Sequence, residues 1–327
     1  MLSLLIALVA LGINADPRQG STQRIEGVVV NGTRAGVPVP GAEVILRTPD
    51  NLSPMAKTTT DRQGRFLFTD VPVPSGLVCL PGANHQGVHY PGSRLRPVPG
   101  GSIPRVEITV FDALTTASPL VAEKHEIDVQ VKTGVLEITE DISVSNPTLT
   151  TYVGSSPAED WSRTLALSIP QAFERVTFSQ EFYGRRFRLV NGRLETDLPW
   201  TPGRRELRFT YYVPVKEQHG TMERVLDIPC SSVRVRVQGE AADQVACNLK
   251  RVVDPDKDIA LFESSERLAA GYQISLHLGG LPVPWFQYGR WAALVLVATL
   301  ILVTVAARFF RGQRNSIRRP VLTSAST

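Results

Sequence analysis

Apolar and polar residues alternate with a period of two through most of this chain. Ile127, Val129 and Val131 are each flanked by charged or polar neighbours, Gly134 marks a reversal, and Leu136, Ile138, Ile142 and Val144 keep the same phase up to Asn146-Pro147. The pattern recurs with Phe187 and Leu189 against Arg186 and Arg188. It returns with Leu207, Phe209 and Tyr211 against Glu206, Arg208 and Thr210, and with Val233, Val235 and Val237 against Arg234 and Arg236. Successive side chains of a strand point to opposite faces, so each run reads as a strand with one buried and one wet face, in antiparallel sheet rather than βαβ units. The fold class expected is all-β, tandem antiparallel β-sandwiches followed by one C-terminal transmembrane helix.

Turn residues place the reversals. Ile25 to Val30, an Asn31-Gly32 turn, the run Gly36-Val-Pro-Val-Pro-Gly-Ala42 and then Glu43 to Arg47 predict two strands around a tight reversal. Thr58 to Phe68 predicts a second hairpin. Asp61 and Gly64 occupy its turn, where Asp bonds its own backbone and Gly takes positive φ. Asn191-Gly192 and Pro202-Gly203 mark further turns. The expected organisation is a polar, flexible lead over 16–24, a first sandwich over 25–112, a Thr/Ser/Pro linker over 113–120 and a second strand-rich region over 121–280. The last is either one sandwich or two units split near 215–221.

The alternation stops at Trp291 to Ala307, an uncharged apolar run closed by Arg290 and Arg308. At 1.5 Å per residue it spans roughly 25 Å, and snorkelling arginines with interfacial aromatics bring it near the ~30 Å hydrocarbon core. A buried core helix would carry a polar stripe. The expectation is a transmembrane helix over 288–310, with Arg290, Trp291, Arg308 and Arg311 at the membrane interface, and a basic tail over 311–327. The arginines after the run keep that side cytoplasmic and the rest of the chain outside. Leu2 to Leu11, with small residues up to Ala15, reads as a signal peptide over 1–15, too short for a comfortable second span.

Composition agrees with many short strands joined by turns, with 24 Pro and 25 Gly in 327 residues. The formal net charge of +4 is smaller than the five arginines after residue 307 supply, so the remainder is close to neutral. That excludes a nucleic-acid-binding ectodomain and leaves a juxtamembrane basic patch that meets anionic lipid. Three cysteines would face an oxidising compartment. A hairpin reversing near Gly239 to Asp243 would bring Cys230 and Cys247 into register for a disulfide worth roughly 3 kcal/mol. The alternative is three buried thiols, with Cys79 between Val78 and Leu80 at a core position.

Gly27, the Gly36 to Ala42 run leading to Val44 and Leu46, and Thr60-Asp61 with Gly64 and Phe66 resemble the carboxypeptidase regulatory-like domain, a transthyretin-like β-sandwich. The resemblance covers about residues 25–112 and implies a folding and recognition module that brings no catalytic residue with it. Thr150 to Gly154, Pro199 to Gly203 before Leu207 to Tyr211, and Gly279 to Pro282 resemble the region C-terminal to that module in bacterial single-pass membrane proteins of unassigned activity.

Chemistry is sparse. The chain has no His-Glu-x-x-His, Gly-x-Ser-x-Gly, phosphate-cradling glycine loop or Cys-x-x-Cys. Cys79, His85 and His89 invite a metal reading, but they lie in an expected loop without zinc-knuckle spacing or a nearby carboxylate, so no metal and no cofactor are expected. Arg186, Arg188, Arg204 and Arg208 could share a solvated face that grips an anionic glycan, head group or protein patch. The expected function is non-enzymatic: a membrane-anchored binding or assembly module of the cell envelope. Its partners would be lipid through one helix and an envelope protein or surface polymer. A receptor or accessory subunit that binds a ligand or carbohydrate is the alternative, and a hydrolase assembled from distant residues the second.

Overall fold

The structure, a computed structural model, describes residues 22–72, 77–96, 105–155, 162–170, 172–178, 187–239, 242–282 and 289–316. The expected signal peptide lies outside them. Eight strands build the first unit: β1 (Thr22–Asn31), β2 (Val37–Pro38), β3 (Glu43–Thr48), β4 (Asn51–Thr59), β5 (Arg65–Pro72), β6 (Leu80–His85), β7 (Val88–Pro91) and β8 (Val106–Val110). They form two four-stranded sheets. In one, β1 pairs with β5 and β2 and runs parallel to β8; the other has the order β4-β3-β6-β7. Ile25, Val29, Val44, Leu46, Phe66 and Ile108 are buried between them, each contributing roughly 1.5–3 kcal/mol by leaving water.

Three expectations for this unit are corrected. The strand begins at Thr22, inside the stretch read as a flexible lead. β1 and β3 do not pair; the Gly36 to Ala42 segment carries the chain from one sheet to the other, and β4 and β5 are likewise on opposite sheets. Between them Asp61 Oδ1 accepts bonds from the amides of Gln63 and Arg65, and Gly64 holds φ +70°, so the turn chemistry is as expected while the strands it joins are not partners. Finally, the stretch expected as a loop around His85 and His89 is the β6–β7 hairpin. Gln86 and Gly87 take positive φ in its two-residue turn.

The second unit contains β9 (Ala113–Leu114), β10 (Val121–Lys132), β11 (Val135–Asn146), β12 (Thr151–Tyr152), β13 (Leu165–Ser168), β14 (Arg175–Phe178), β15 (Phe187–Val190) and β16 (Arg193–Thr196). It continues with β17 (Gly203–Pro214), β18 (Gly220–Val225), β19 (Val233–Gln238), β20 (Val245–Cys247), β21 (Lys250–Val252), β22 (Ile259–Glu263) and β23 (Gln273–Leu278). Seven strands form one sheet in the order β14-β17-β11-β10-β19-β22-β21, and two three-stranded sheets, β13-β16-β15 and β18-β23-β20, with the two-stranded β12-β9, complete the unit. One continuous core runs from Leu120 to Leu281. The chain on both sides of 215–221 shares it, because β19 inserts beside β10 in parallel. That pairing and β1–β8 make two of the sheets mixed, and β9–β12 is a parallel pair, while the other sheets are antiparallel as expected.

The expected linker is pinned rather than free. β9 pairs with β12, the Thr151 amide donates to the Asp112 carbonyl at 2.9 Å, and the Tyr90 hydroxyl donates to Thr151 Oγ1 at 2.8 Å. The last element among the described residues is helix α1 (Gly289–Ser316), which continues past Phe310 into the stretch expected as tail. Among the described residues no helix is long and apolar enough to cross a membrane.

Candidate functional site

Strand phase aims three charged or titratable side chains into the second core. His125 on β10 shares the inward phase of Ile127 and Val129, Glu140 on β11 that of Ile138 and Ile142, and Arg224 on β18 that of Met222. All three are buried, Glu140 at 0% exposure and Arg224 at 1%. Arg224 donates from Nε to Glu140 Oε1 at 2.9 Å and from Nη2 to Oε2 at 3.0 Å. His125 Nε2 lies 2.7 Å from Oε2 and the Tyr211 hydroxyl donates to Oε1 at 2.8 Å. The carboxylate only accepts, so His125 carries its proton on Nε2 here.

A second carboxylate completes the network. Asp227 accepts from Arg224 Nη1 at 3.1 Å, from Arg193 Nη2 at 3.1 Å, and from the amide and hydroxyl of Ser168 at 2.7 and 2.6 Å. Arg224 Nη1 also donates to the Val225 carbonyl. Burial works against the Glu140 anion, but Arg224 beside it and the His125 hydrogen bond outweigh that cost and hold the carboxyl at about 2. The same burial opposes the Arg224 cation, and Glu140 more than restores it. Burial, reinforced by Glu140, pushes the Tyr211 phenol well above its ordinary value. These groups tie the seven-stranded sheet to β18 and β13.

Arg224 and Ser168 border a cleft of about 800 Å³, whose apolar lining includes Leu136, Ile169, Val213, Met222, Leu278 and Leu281. Lys216, Glu217, His219 and Glu223 line it as exposed groups. Apolar walls with a few placed polar groups are the usual construction of a binding site.

The structure does not gather the expected arginines into one free cationic face. Arg204 and Arg208 lie on β17, Arg188 on β15 in another sheet, and Arg186 outside the described residues. Arg204 pairs with Glu123 and Glu206, each at 3.3 Å, and Arg208 approaches Asp141 at 3.7 Å. Strand register explains it. Arg208, Asp141, Glu126, Arg234, Glu263 and Lys250 form one row across six strands, so the outer face is a mixed-sign ladder.

The expected Cys230–Cys247 bridge is also absent. Cys230 bridges to Leu268 and Ala122, whereas Cys247 on β20 pairs with Leu276 of β23. The segment between them does not close a hairpin, because β19 joins the large sheet. All three cysteines are free thiols, and burial raises each thiol pKa. Cys79 exchanges backbone bonds with Leu95, His85 Nε2 meets Asp112 at 3.1 Å and His89 Nδ1 meets Asn84 at 2.8 Å. Among the described residues no group of three or more His, Cys, Asp or Glu is placed to hold a metal. The side chains of Arg290, Trp291 and Arg311 lie outside the description, and Arg308 is exposed.

Sequence reasoning passed over Glu140, Arg224, His125 and Asp227. A signal was available: Glu140 interrupts the apolar phase of β11 midway between Ile138 and Ile142, and Arg224 sits two residues from Met222 and from Leu226. Opposite charges at inward positions of different strands point to a buried pair.

No family model matches the chain, and no curated protein does. Among solved structures it is similar to native leukotriene A4 hydrolase from Saccharomyces cerevisiae, at 8% identity and a TM-score of 0.31 over 49% of this chain and 29% of that one. It is also similar to an M1 zinc metallopeptidase from Deinococcus radiodurans, at 14% identity and a TM-score of 0.28 over 49% of this chain and 42% of that one. The match therefore spans less than half the length of either enzyme. Similarity of this degree assigns neither fold nor activity.

Proposed function

We propose that this chain is a membrane-anchored, non-enzymatic binding or assembly module of the cell envelope, with its β-sandwiches outside the cytoplasm and the residues after α1 inside. The observation that carries the reading is the surface of α1. Leu294 to Val297, Leu300 to Val303 and Val305 are each more than half exposed, and consecutive positions cover every side of a helix. Apolar side chains exposed at consecutive helix positions gain from an apolar surrounding, and hydrocarbon supplies one. The reading also draws on the sequence flanking those side chains, Arg290-Trp291 before and Phe309-Phe310-Arg311 after. Two sandwiches, the second with Glu140 and Arg224 paired in its core, suit a rigid platform more than a reaction centre. The first unit is read as a carboxypeptidase regulatory-like module on its Gly27, Gly64 and Phe66 pattern.

Alkaline carbonate extraction of membranes tests the anchor. The wild-type chain is expected in the pellet, and a Leu296→Arg, Ile301→Arg variant in the supernatant; release of the wild type refutes anchoring. Crosslinking in intact membranes before purification in mild detergent tests the assembly role, which fails if no protein or polymer is captured in stoichiometric amount.

A further inference from the structure

We propose that the free edge of β18 is a strand-addition site that takes an extended peptide segment of a partner protein. The inference deepens the reading of the chain as a binding module, on which it rests, by naming the chemical class of the partner. Among the described residues β18 ends its sheet: β23 is its strand neighbour, and β20 lies beyond β23. All six consecutive residues from Gly220 to Val225 line the cleft, whereas β23 contributes only Leu278. A cleft facing one side of a strand would meet alternate residues. One that meets every residue, on the side away from the paired neighbour, lies along the strand edge.

The hydrogen-bonding phase shows what that edge offers. Leu226 donates its amide to the Tyr272 carbonyl and accepts from the Gly271 amide, and the register continues as Arg224↔Ile274, Met222↔Leu276 and Gly220↔Leu278. In an antiparallel pair, bonded and non-bonded residues alternate. Arg224 and Met222 therefore point their amides and carbonyls at β23, while Thr221, Glu223 and Val225 point theirs into the cleft. The Val225 carbonyl is taken by Arg224 Nη1. The amides of all three, with the carbonyls of Thr221 and Glu223, remain as an alternating row of donors and acceptors.

An extended backbone matches that row, and an alkyl chain does not. Six residues at ~3.3 Å each set a contact about 20 Å long. Side chains of an added strand that point the same way as Met222 would meet the apolar wall of Leu136, Ile169, Val213 and Leu281, and those on the side of Thr221 and Glu223 would face solvent. The recognised segment is thus apolar at alternate positions. Lys216, Glu217 and Glu223 mix signs at the opening, so no anionic head group is favoured.

The test uses the full-length chain in detergent micelles and fluorescent hexapeptides with Val, Ile, Leu or Phe alternating with Thr. Each peptide is compared with two copies N-methylated at alternate nitrogens, one copy for each register. The expected result is binding that falls at least tenfold on methylation in one register only, with slowed hydrogen exchange of the amides of 221, 223 and 225. Glu223→Pro removes one edge donor while sparing the β23 ladder, since Glu223↔Ser275 is a non-bonded pair, and should weaken binding at least tenfold; Glu223→Ala should not. If Glu223→Pro does not fold, the methylated peptides decide.

Failure of every peptide to protect 221–225 overturns the proposal, as does equal binding of both methylated registers. Displacement by lauric acid without exchange protection would make the cleft an amphiphile site instead. Concentration-dependent protection of 221–225 with doubling of the chain's mass would give the edge to a second copy, which also overturns it. Carbonate retention measured on the same preparation separates failure of this site from failure of the anchor.

Discussion

Glu140 and Arg224, 84 residues apart in the chain, meet in the core of the second unit, with both carboxylate oxygens held by the guanidinium at 2.9 to 3.1 Å. Neither reaches water. Each charge offsets much of the other's burial cost, with Asp227 beside Arg224 and with His125 and Tyr211 on Glu140.

Arg224→Met should destabilise the chain by about 3–5 kcal/mol, because it leaves the buried Glu140 carboxylate without its cation, and Glu140→Leu should cost less, because Arg224 keeps Asp227 at 3.1 Å. The double substitution Glu140→Leu, Arg224→Met should cost clearly less than the sum. Urea unfolding of the three variants measures the coupling; additive losses would show that the pair does not act as a unit.

Stability should also fall in acid. The Glu140 carboxyl is held at about 2 against 4.5 in its ordinary state, so the folded form binds its proton less readily than the unfolded form. Its contribution is complete above pH 4.5 and is lost as pH falls toward 2, on the order of 3 kcal/mol. Denaturation followed between pH 7 and 2 should show this slope, and Glu140→Gln should lack that share of it.

Gly27 lies between β8 and the Phe66 ring of β5, where an added Cβ would stand 2.2 Å from the Val106 carbonyl oxygen and 2.4 Å from the ring. Gly27→Ala should cost about 3 kcal/mol or more, since a sheet backbone must move. At Gly36 the space is open and the obstacle is φ +81°, so Gly36→Ala should cost only about 1–2 kcal/mol. Thermal and chemical denaturation of the two variants distinguishes overpacking from backbone strain.

Tyr90 joins the two units through its hydroxyl, which reaches Thr151 Oγ1 and the Phe111 carbonyl, each at 2.8 Å. Tyr90→Phe should cost about 1–2 kcal/mol, because Thr151 is buried and loses a partner. Hydrogen exchange at the amides of 151–153 should accelerate more than at β3, which lies on the far side of this contact in sequence and pairs only within the first unit.

Much of the fold was legible in the residues. The phases of β10, β11, β17 and β19 come directly from alternation, and Asn191-Gly192 closes the β15–β16 hairpin with both residues at positive φ, as an Asn-Gly pair prefers. Neighbour relations were less legible. Asp61 and Gly64 specify a turn, yet nothing in that turn says that β4 pairs with β3 and β5 with β1. The arginines of β17 were visible as a wet face, but Glu123 and Asp141, which with Glu206 of the same strand pair with them, come from β10 and β11. Cys230 and Cys247 are close in sequence, but Cys230 lies between β18 and β19 outside the named strands, whereas Cys247 is on β20.

By itself the sequence determined the inward phase of β10, β11, β17 and β19, where much of the chain reverses and that a helix comes after the strands, because backbone conformation is a property of each residue with its near neighbours. It did not determine every burial, since Leu189, expected on a buried face, is 52% exposed. Only the tertiary structure decided which strands pair, that 121–280 shares one core, and that Glu140 finds Arg224, His125 and Tyr211. Ladder hydrogen bonds are made by a backbone that is the same at every position, so alternation cannot choose a strand's partner. The ionisation of a buried carboxyl is set by the charges that packing brings within about 3 Å, and those come from strands up to 84 residues away.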